Sequence, residues 1–238
     1  MKMRYFFVVM LAAVFSIPAV RVGAGGMEDD PLLATVLIDQ LESRLGDDSP
    51  PLVWEAEGWI GRDLNKIWIK TEGEARDGRL EEAEVQLLYS RAVAPYWDVQ
   101  MGLRHDFRPR PRRDWLVLGI KGLAPWFFDI DAALFVGEDG RTAARLTAEY
   151  EIMFTQRLAL VPEVEVNLAG RSDPDTGNGS GLVSTEVGLR LRYEVHRRFA
   201  PYVGVTWTGL HGETADYARE EGGKTSDTRL AVGIRAWY

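Results

Sequence analysis

The side chains able to do chemistry in this chain are few and of uneven kind. No cysteine is present, which removes disulfides, thiolate metal sites and cysteine nucleophiles. The imidazoles are His105, His196 and His211. His105 and Asp106 are neighbours on an extended run, so they point to opposite faces and form no direct dyad. His211 and Glu213 share a face at the start of a long polar stretch, with Asp216 nearby, and this is the one acid–base group the spacing allows. A solvated loop accounts for it better. There is no GxSxG, HExxH or phosphate-binding loop, so a non-enzymatic role is expected. Thioethers suit soft metals and imidazoles borderline ones. Only Met101 and His105 are spaced like a local ligand pair, and both fall on an apolar face. A metal would therefore be held across strands. The candidates are His196, Asp98, Glu149, Glu151, Glu163 and Glu165.

These residues sit in a chain whose period from residue 52 onward is two. Ala144, Leu146, Ala148, Tyr150 and Ile152 alternate with Arg145, Thr147, Glu149 and Glu151. Leu158, Leu160, Val164, Val166 and Leu168 alternate with Glu163, Glu165 and Asn167, and Val187, Leu189, Leu191 and Tyr193 with Glu186, Arg190, Arg192 and Glu194. Such runs are strands with one apolar and one polar side. Strands are expected over 52–61, 64–74, 80–93, 96–107, 114–123, 127–136, 142–154, 157–170, 183–197, 201–211 and 228–238. The segment 31–46 fits an amphipathic helix through Leu33, Val36, Leu37, Leu41 and Leu45, and a strand through Val36 to Arg44.

Connections between the runs alternate between tight and long. The tight class carries an Ala-Pro-aromatic signature at Ala94-Pro95-Tyr96, Ala124-Pro125-Trp126 and Ala200-Pro201-Tyr202. The long class includes 108–113, 137–141, 171–181 and 212–227. Tight turns at one end and long loops at the other are the pattern of an outer-membrane barrel. An even strand count returns both termini to one side, so 31–46 is expected to supply a twelfth strand. The expected fold is all-β: an antiparallel up-and-down transmembrane β-barrel of about 12 strands, closed by the C-terminal strand.

A soluble sandwich alternates as well, but its strands average ~5–6 residues, and these run to about ten. Aromatic residues cluster at strand ends: Tyr96, Trp97, Trp126, Phe127, Phe128, Tyr202, Trp207, Trp237 and Tyr238. A twelve-strand barrel is also too wide for an apolar interior, since side chains fill about eight strands. Turning the apolar face to lipid sends the charged face inward. The expected lumen charges are Glu57, Lys66, Lys70, Asp129, Asp131, Arg145, Arg190 and Arg192, with Glu72, Asp98, Arg104 and Glu194 beside them. Both signs occur on adjacent strands, so cross-strand ion pairs and a narrow or closed conduit follow.

The N-terminus reads as a leader. Lys2 and Arg4 precede the apolar run Tyr5–Ile17, and Val22-Gly23-Ala24 is a small-x-small cleavage pattern. Pro18 and Arg21 stop the run short of a membrane span. The expected organisation is a signal peptide over 1–24, a short periplasmic segment over 25–35 and the barrel over 36–238. Losing Lys2, Arg4 and Arg21 takes the formal charge from −8 to −11. An acidic chain without a basic stripe excludes nucleic acid as a partner. The expected location is the outer membrane of a Gram-negative cell, with both termini periplasmic.

At the other end, Leu230, Val232, Ile234 and Tyr238 share a face in DTRLAVGIRAWY. This resembles the C-terminal signal that outer-membrane barrels present to the assembly machinery. Lipid and that machinery are the partners it implies. Longer stretches resemble the copper resistance protein B family: residues 53–75, 87–107, 122–151, 179–205, 212–222 and the terminal GIRAWY. The resemblance runs from about residue 36 to the end. It implies an outer-membrane protein of copper tolerance and homeostasis, with copper as its metal and periplasmic copper proteins as partners. Members often carry a Met- and His-rich segment ahead of the barrel. Here GGMEDDPLLAT (25–35) has one Met and no His, so no ligand set carries over.

Overall fold

In the computed structural model, which describes residues 30–46 and 49–238, nearly every element is a strand. The twelve are β1 (Leu33–Leu45), β2 (Leu52–Gly61), β3 (Asn65–Arg76), β4 (Arg79–Ala94), β5 (Trp97–Arg108), β6 (Arg113–Ala124), β7 (Phe128–Gly137), β8 (Thr142–Glu149, resuming at Ile152–Met153), β9 (Leu158–Ala169), β10 (Gly181–Tyr193), β11 (Phe199–Leu210) and β12 (Ser226–Trp237). One α-helix among the described residues, α1 (Gly212–Glu220), lies in the connection before β12. Each strand pairs antiparallel with its sequence neighbours, and β12 returns to pair with β1. The sheet is closed and leaves no edge, as lipid demands. Residues 1–24, and 25–29 of the short segment after them, lie outside the described residues. The barrel begins at Leu33, three residues before its expected start.

The interruption in β8 has a local cause. Glu149 pairs with Glu163 and Ile152 with Leu160, which is one unbroken register. The residue opposite Tyr150 is Pro162. Tyr150 N–H donates to the Pro162 carbonyl at 3.0 Å, but proline has no N–H to return. The expected strand 142–154 is therefore real, with half a rung missing.

β1 explains the ambiguity of 31–46. Its register against both neighbours shifts by one residue between Ile38 and Leu41. This bulge sends two successive polar residues, Asp39 and Gln40, toward the interior, after which Glu42 and Arg44 follow. The phase change breaks the period of two and leaves leucines at helix-like spacing.

Burial is inverted relative to a soluble protein. Leu87, Leu103, Leu116, Leu134, Val203 and Leu230 are exposed around the outside, while Gln40, Glu42, Lys70, Gln100, Arg190 and Arg192 are buried. The interior also holds an apolar cluster that alternation did not announce: Trp68, Leu88, Val117 and Phe135 on the β3–β7 wall. Lys70 and Lys121 lie over the Trp68 ring, at 6.0 and 5.0 Å, and Arg104 over Phe135 at 4.7 Å.

The connections fall into two ends. On the side of the termini lie 62–64, 95–96, 125–127, 154–157 and 194–198; on the other lie the longer ones, including 170–180 and 211–225. The alternation is imperfect, because Asp77-Gly78 makes a two-residue hairpin at the long-loop end, both residues at positive φ. At the termini end, Tyr96, Trp126 and Phe127 adopt positive φ and stand 76%, 82% and 75% exposed at turn tips, where an aromatic girdle meets headgroups. Two expectations are corrected here. Ala200-Pro201-Tyr202 lies within β11 and is no turn, and Tyr202 is buried in the lumen. Trp207 sits at the long-loop end, its indole donating to Ser226 at 2.9 Å.

Candidate functional site

The lumen is crossed by ion pairs that join distant strands more often than adjacent ones. Lys121 on β6 reaches Glu57 on β2 at 2.7 Å, and Lys70 on β3 reaches Asp131 on β7 at 2.5 Å. Arg145 on β8 donates to Glu72 on β3 and, at 3.0 Å, to Glu84 on β4. Strands four or five places apart in the sheet are thus strapped together. The expectation of adjacent-strand pairing holds for Arg190 with Glu163 at 2.6 Å, and for Arg104 with Glu84 at 2.7 Å. The longer guanidinium and ammonium arms reach across because the barrel interior is wider than two facing rows of short side chains.

The tightest network is built on β1. Glu42 is fully buried and accepts from Arg190 at 3.0 Å, Arg44 at 2.8 Å and the Tyr202 hydroxyl at 3.0 Å. Arg44 continues to Glu186 at 2.5 Å, and Gln40 to Glu163 at 3.0 Å. A buried carboxylate persists only with such a set of donors. Asp39, the bulge residue, pairs with Arg235 of the closing strand at 2.5 Å. None of Asp39, Glu42, Arg44, Tyr202 or Arg235 was among the expected lumen residues. The signal in the sequence was DQLESR itself, too polar for a lipid-facing strand.

Three larger chambers between the straps differ in their charge. The central one, about 110 Å³, is lined by Asp39, Glu55, Glu57, Glu72, Asp129, Asp131, Glu149 and Glu163, eight carboxylates, against Lys70, Lys121, Arg145 and Arg235, four cations. A second, about 340 Å³ and toward the long-loop end, has Glu55, Glu72, Glu74, Glu82, Glu163, Glu165, Glu186 and Asp227 against Arg44, Arg76, Lys224 and Arg229, again eight to four. The third, about 280 Å³, is balanced: Glu72, Glu82, Glu84, Asp106, Glu165 and Asp173 against Arg104, Arg108, Arg113, Arg141, Arg145 and Arg171. Two chambers therefore hold twice as many carboxyl groups as cationic side chains within low-dielectric walls, an arrangement that draws cations.

The expected metal candidates do not converge. Glu149 and Glu163 line the central chamber, and Glu165 lines the other two. Glu151 accepts from Arg192. Asp98 accepts from the Ser90 hydroxyl at 3.1 Å and lies 3.6 Å from Lys66. His196, expected to face inward, lies in the exposed turn between β10 and β11, because β10 ends at Tyr193 and the chain has left the barrel wall. Met101 and Met153 are exposed on the outer face, and His105 pairs there with Asp114 at 2.6 Å. Among the described residues, no three His, Asp or Glu side chains gather into a metal-binding group. His211 and Glu213 separate as well: His211 Nε2 is 3.1 Å from the Thr185 hydroxyl, while Glu213 accepts from the Ser172 hydroxyl and the Ser180 N–H. Those last two bonds hold the exposed Glu213 carboxyl below its ordinary pKa.

The long-loop end is covered. Asp173 in the 170–180 loop accepts from Arg113 at the start of β6 at 2.9 Å and faces Arg141, in the turn before β8, at 3.3 Å. Gly179 N–H donates to the Thr214 hydroxyl of α1 at 2.8 Å, which ties that loop to the helix.

Comparison with known proteins agrees with this architecture. The family model described as Copper resistance protein B precursor (CopB) matches residues 32–238. A Copper resistance protein B homolog of Pseudomonas syringae pv. tomato is 45% identical over 212 residues, covering 89% of this chain and 72% of that protein. Copper resistance protein B of Escherichia coli is 44% identical over 212 residues, with the same coverage. Among solved structures, the NanC porin aligns with a TM-score of 0.55 at 12% identity, over 86% of this chain and 99% of that one. At that identity the porin speaks for the fold alone.

Proposed function

Because this chain belongs to the copper resistance protein B family, we propose that it protects the cell from copper by holding or passing copper ions in its lumen at the outer membrane. The observation that carries this reading is the excess of eight carboxylates over four cations in the central chamber. A negative chamber walled by low dielectric concentrates cations without needing a preformed coordination site. The straps of Arg145, Lys70 and Lys121 keep the conduit narrow.

The termini face the periplasm in this reading, which puts the short turns inside and the covered end outside. The barrel assembly machinery recognises Leu230, Val232, Ile234 and Tyr238, the outer-membrane lipid meets the apolar face, and a periplasmic copper protein exchanges metal at the termini end. The role is non-enzymatic: His211 and Glu213 each bond to other partners.

A second reading, a narrow channel or scaffold without metal specificity, is favoured by the lack of imidazole or thioether in the chamber linings. Metal binding by the refolded protein separates the two. The copper reading, which draws ions by charge into an oxygen-lined chamber, expects divalent metals, Cu(II) among them, to be retained at micromolar concentration and released as ionic strength rises. Retention of Cu(II), Zn(II) and Mg(II) no stronger than that of a monovalent ion would leave the unspecific channel.

A further inference from the structure

We infer that cations move along one side of the lumen only, from the chamber at the long-loop end into the central chamber past Glu55, and that they travel as hydrated divalent ions recognised by charge. This rests on the copper reading and names the form of the cargo that it leaves open.

The charge pattern selects the route. The two chambers with a twofold excess of carboxylates share Glu55, Glu72 and Glu163, whereas the third chamber is neutral. An ion entering the third chamber meets as many guanidinium groups as carboxylates and gains nothing by charge. At the junction of the other two, Glu163 is taken by Arg190 and Gln40, and Glu72 by Arg145. Glu55 makes no hydrogen bond or ion pair with the described residues. It stands directly opposite Glu72 in the β2–β3 ladder, and Glu72 is already engaged by Arg145, so Glu55 is the carboxyl at this junction open to a visiting cation.

An independent observation lies in the same chamber. Thr206 is 2% exposed, yet its hydroxyl oxygen has no hydrogen-bond partner. It lines the chamber that Glu55 also lines. A buried hydroxyl without a partner costs free energy unless something supplies one. The water shell of a metal ion supplies donors to an acceptor oxygen.

The donor chemistry fixes the form of the ion. Both chambers present oxygen and cationic nitrogen, with no sulfur and no imidazole. Cu(I) is soft and seeks thioether or thiolate; aqua ions of Cu(II) and other divalent metals are attracted by carboxylates and keep their water. No three carboxylates converge to strip that shell among the described residues.

The test is ion uptake by liposomes carrying the refolded full chain, with Cu(II), Mg(II) and, under anaerobic reducing conditions, Cu(I). Folding of each variant is checked by the shift of its gel band on boiling. Glu55→Gln should lower Cu(II) and Mg(II) uptake together by about tenfold, the low end of what field focusing supplies. Glu55→Asp should recover most of it, and Asp106→Asn in the neutral chamber should change nothing. Thr206→Val is the second variant and should lower uptake in the same direction. Wild-type uptake by folded Glu55→Gln, Cu(I) carried as fast as Cu(II), or no divalent uptake by the wild type each overturns the inference. Copper tolerance in cells is scored separately. Full complementation of a deletion strain by Glu55→Gln sinks the Glu55 route and leaves the copper reading standing. Unchanged tolerance on deletion sinks the copper reading and leaves a route measured in liposomes intact.

Discussion

Val36 and Tyr238 exchange both of their backbone hydrogen bonds, Val36 N–H to the Tyr238 carbonyl at 2.9 Å and Tyr238 N–H to the Val36 carbonyl at 2.8 Å. The last residue of the chain thus completes the seam that closes the barrel. Trp237 beside it is held by its indole, which donates to the Arg197 carbonyl at 2.6 Å, and Arg198 lies over the Trp237 and Tyr238 rings. Deleting Tyr238 removes one rung and the terminal aromatic together. The expected result is a reduced level of the heat-modifiable folded band in outer-membrane fractions. Normal levels of the truncated protein would show that closure does not depend on it.

The same seam is pinned from inside by Asp39 and Arg235. Both are partly screened, so Arg235→Ala should cost about 1–2 kcal/mol, between the values for exposed and buried pairs. Exchanging the two residues, Asp39→Arg with Arg235→Asp, should recover part of the loss. Denaturant unfolding in lipid vesicles measures both. Equal stability of Arg235→Ala and wild type would remove the pair from any account of closure.

Much of this is legible in the sequence. The period of two, the alternation of connection lengths and the patterned last strand led to a closed twelve-strand barrel with its charges inside. The β1 contribution was hidden, because a bulge at Asp39–Gln40 shifts the phase of alternation and imitates a helix. Alternation misplaces His196 for a simpler reason. Alternation continues on paper through Glu194 and Val195, although the strand ends at Tyr193. The transverse pairs were also out of reach, since alternation tells which face a residue takes and nothing about which strand lies opposite across the lumen.

Arg145 lines both the central and the third chamber and bonds Glu72 and Glu84 between them. Arg145→Ala should raise single-channel conductance in planar bilayers several-fold and increase cation preference, since it leaves Glu72 uncompensated and Glu84 with Arg104 alone. A conductance equal to that of the wild type would place the constriction elsewhere.

Pro162 withholds one hydrogen bond from Tyr150. Pro162→Ala should supply it, and the amide introduced by that substitution should be protected from exchange. The gain is about 1 kcal/mol, partly offset by the freer unfolded chain. Rapid exchange of that amide would mean that the break in β8 has another cause.

Glu213 ties α1 to the 170–180 loop through Ser172 and Ser180. Its folded pKa lies below the ordinary 4.5. The contact it makes is therefore fully present above that value and is lost as pH falls through the lower, folded one. Proteolysis of the 170–180 loop should rise under acid conditions in the wild type and be independent of pH in that range in Glu213→Gln. An identical acid response in both would assign the loosening to other carboxylates.

The most direct test of the copper assignment is growth of a deletion strain on graded copper, with zinc and osmotic stress as controls. The account predicts lower copper tolerance, restored by the wild-type chain, with zinc and osmotic tolerance unchanged. Copper tolerance equal to that of the parent strain would contradict it.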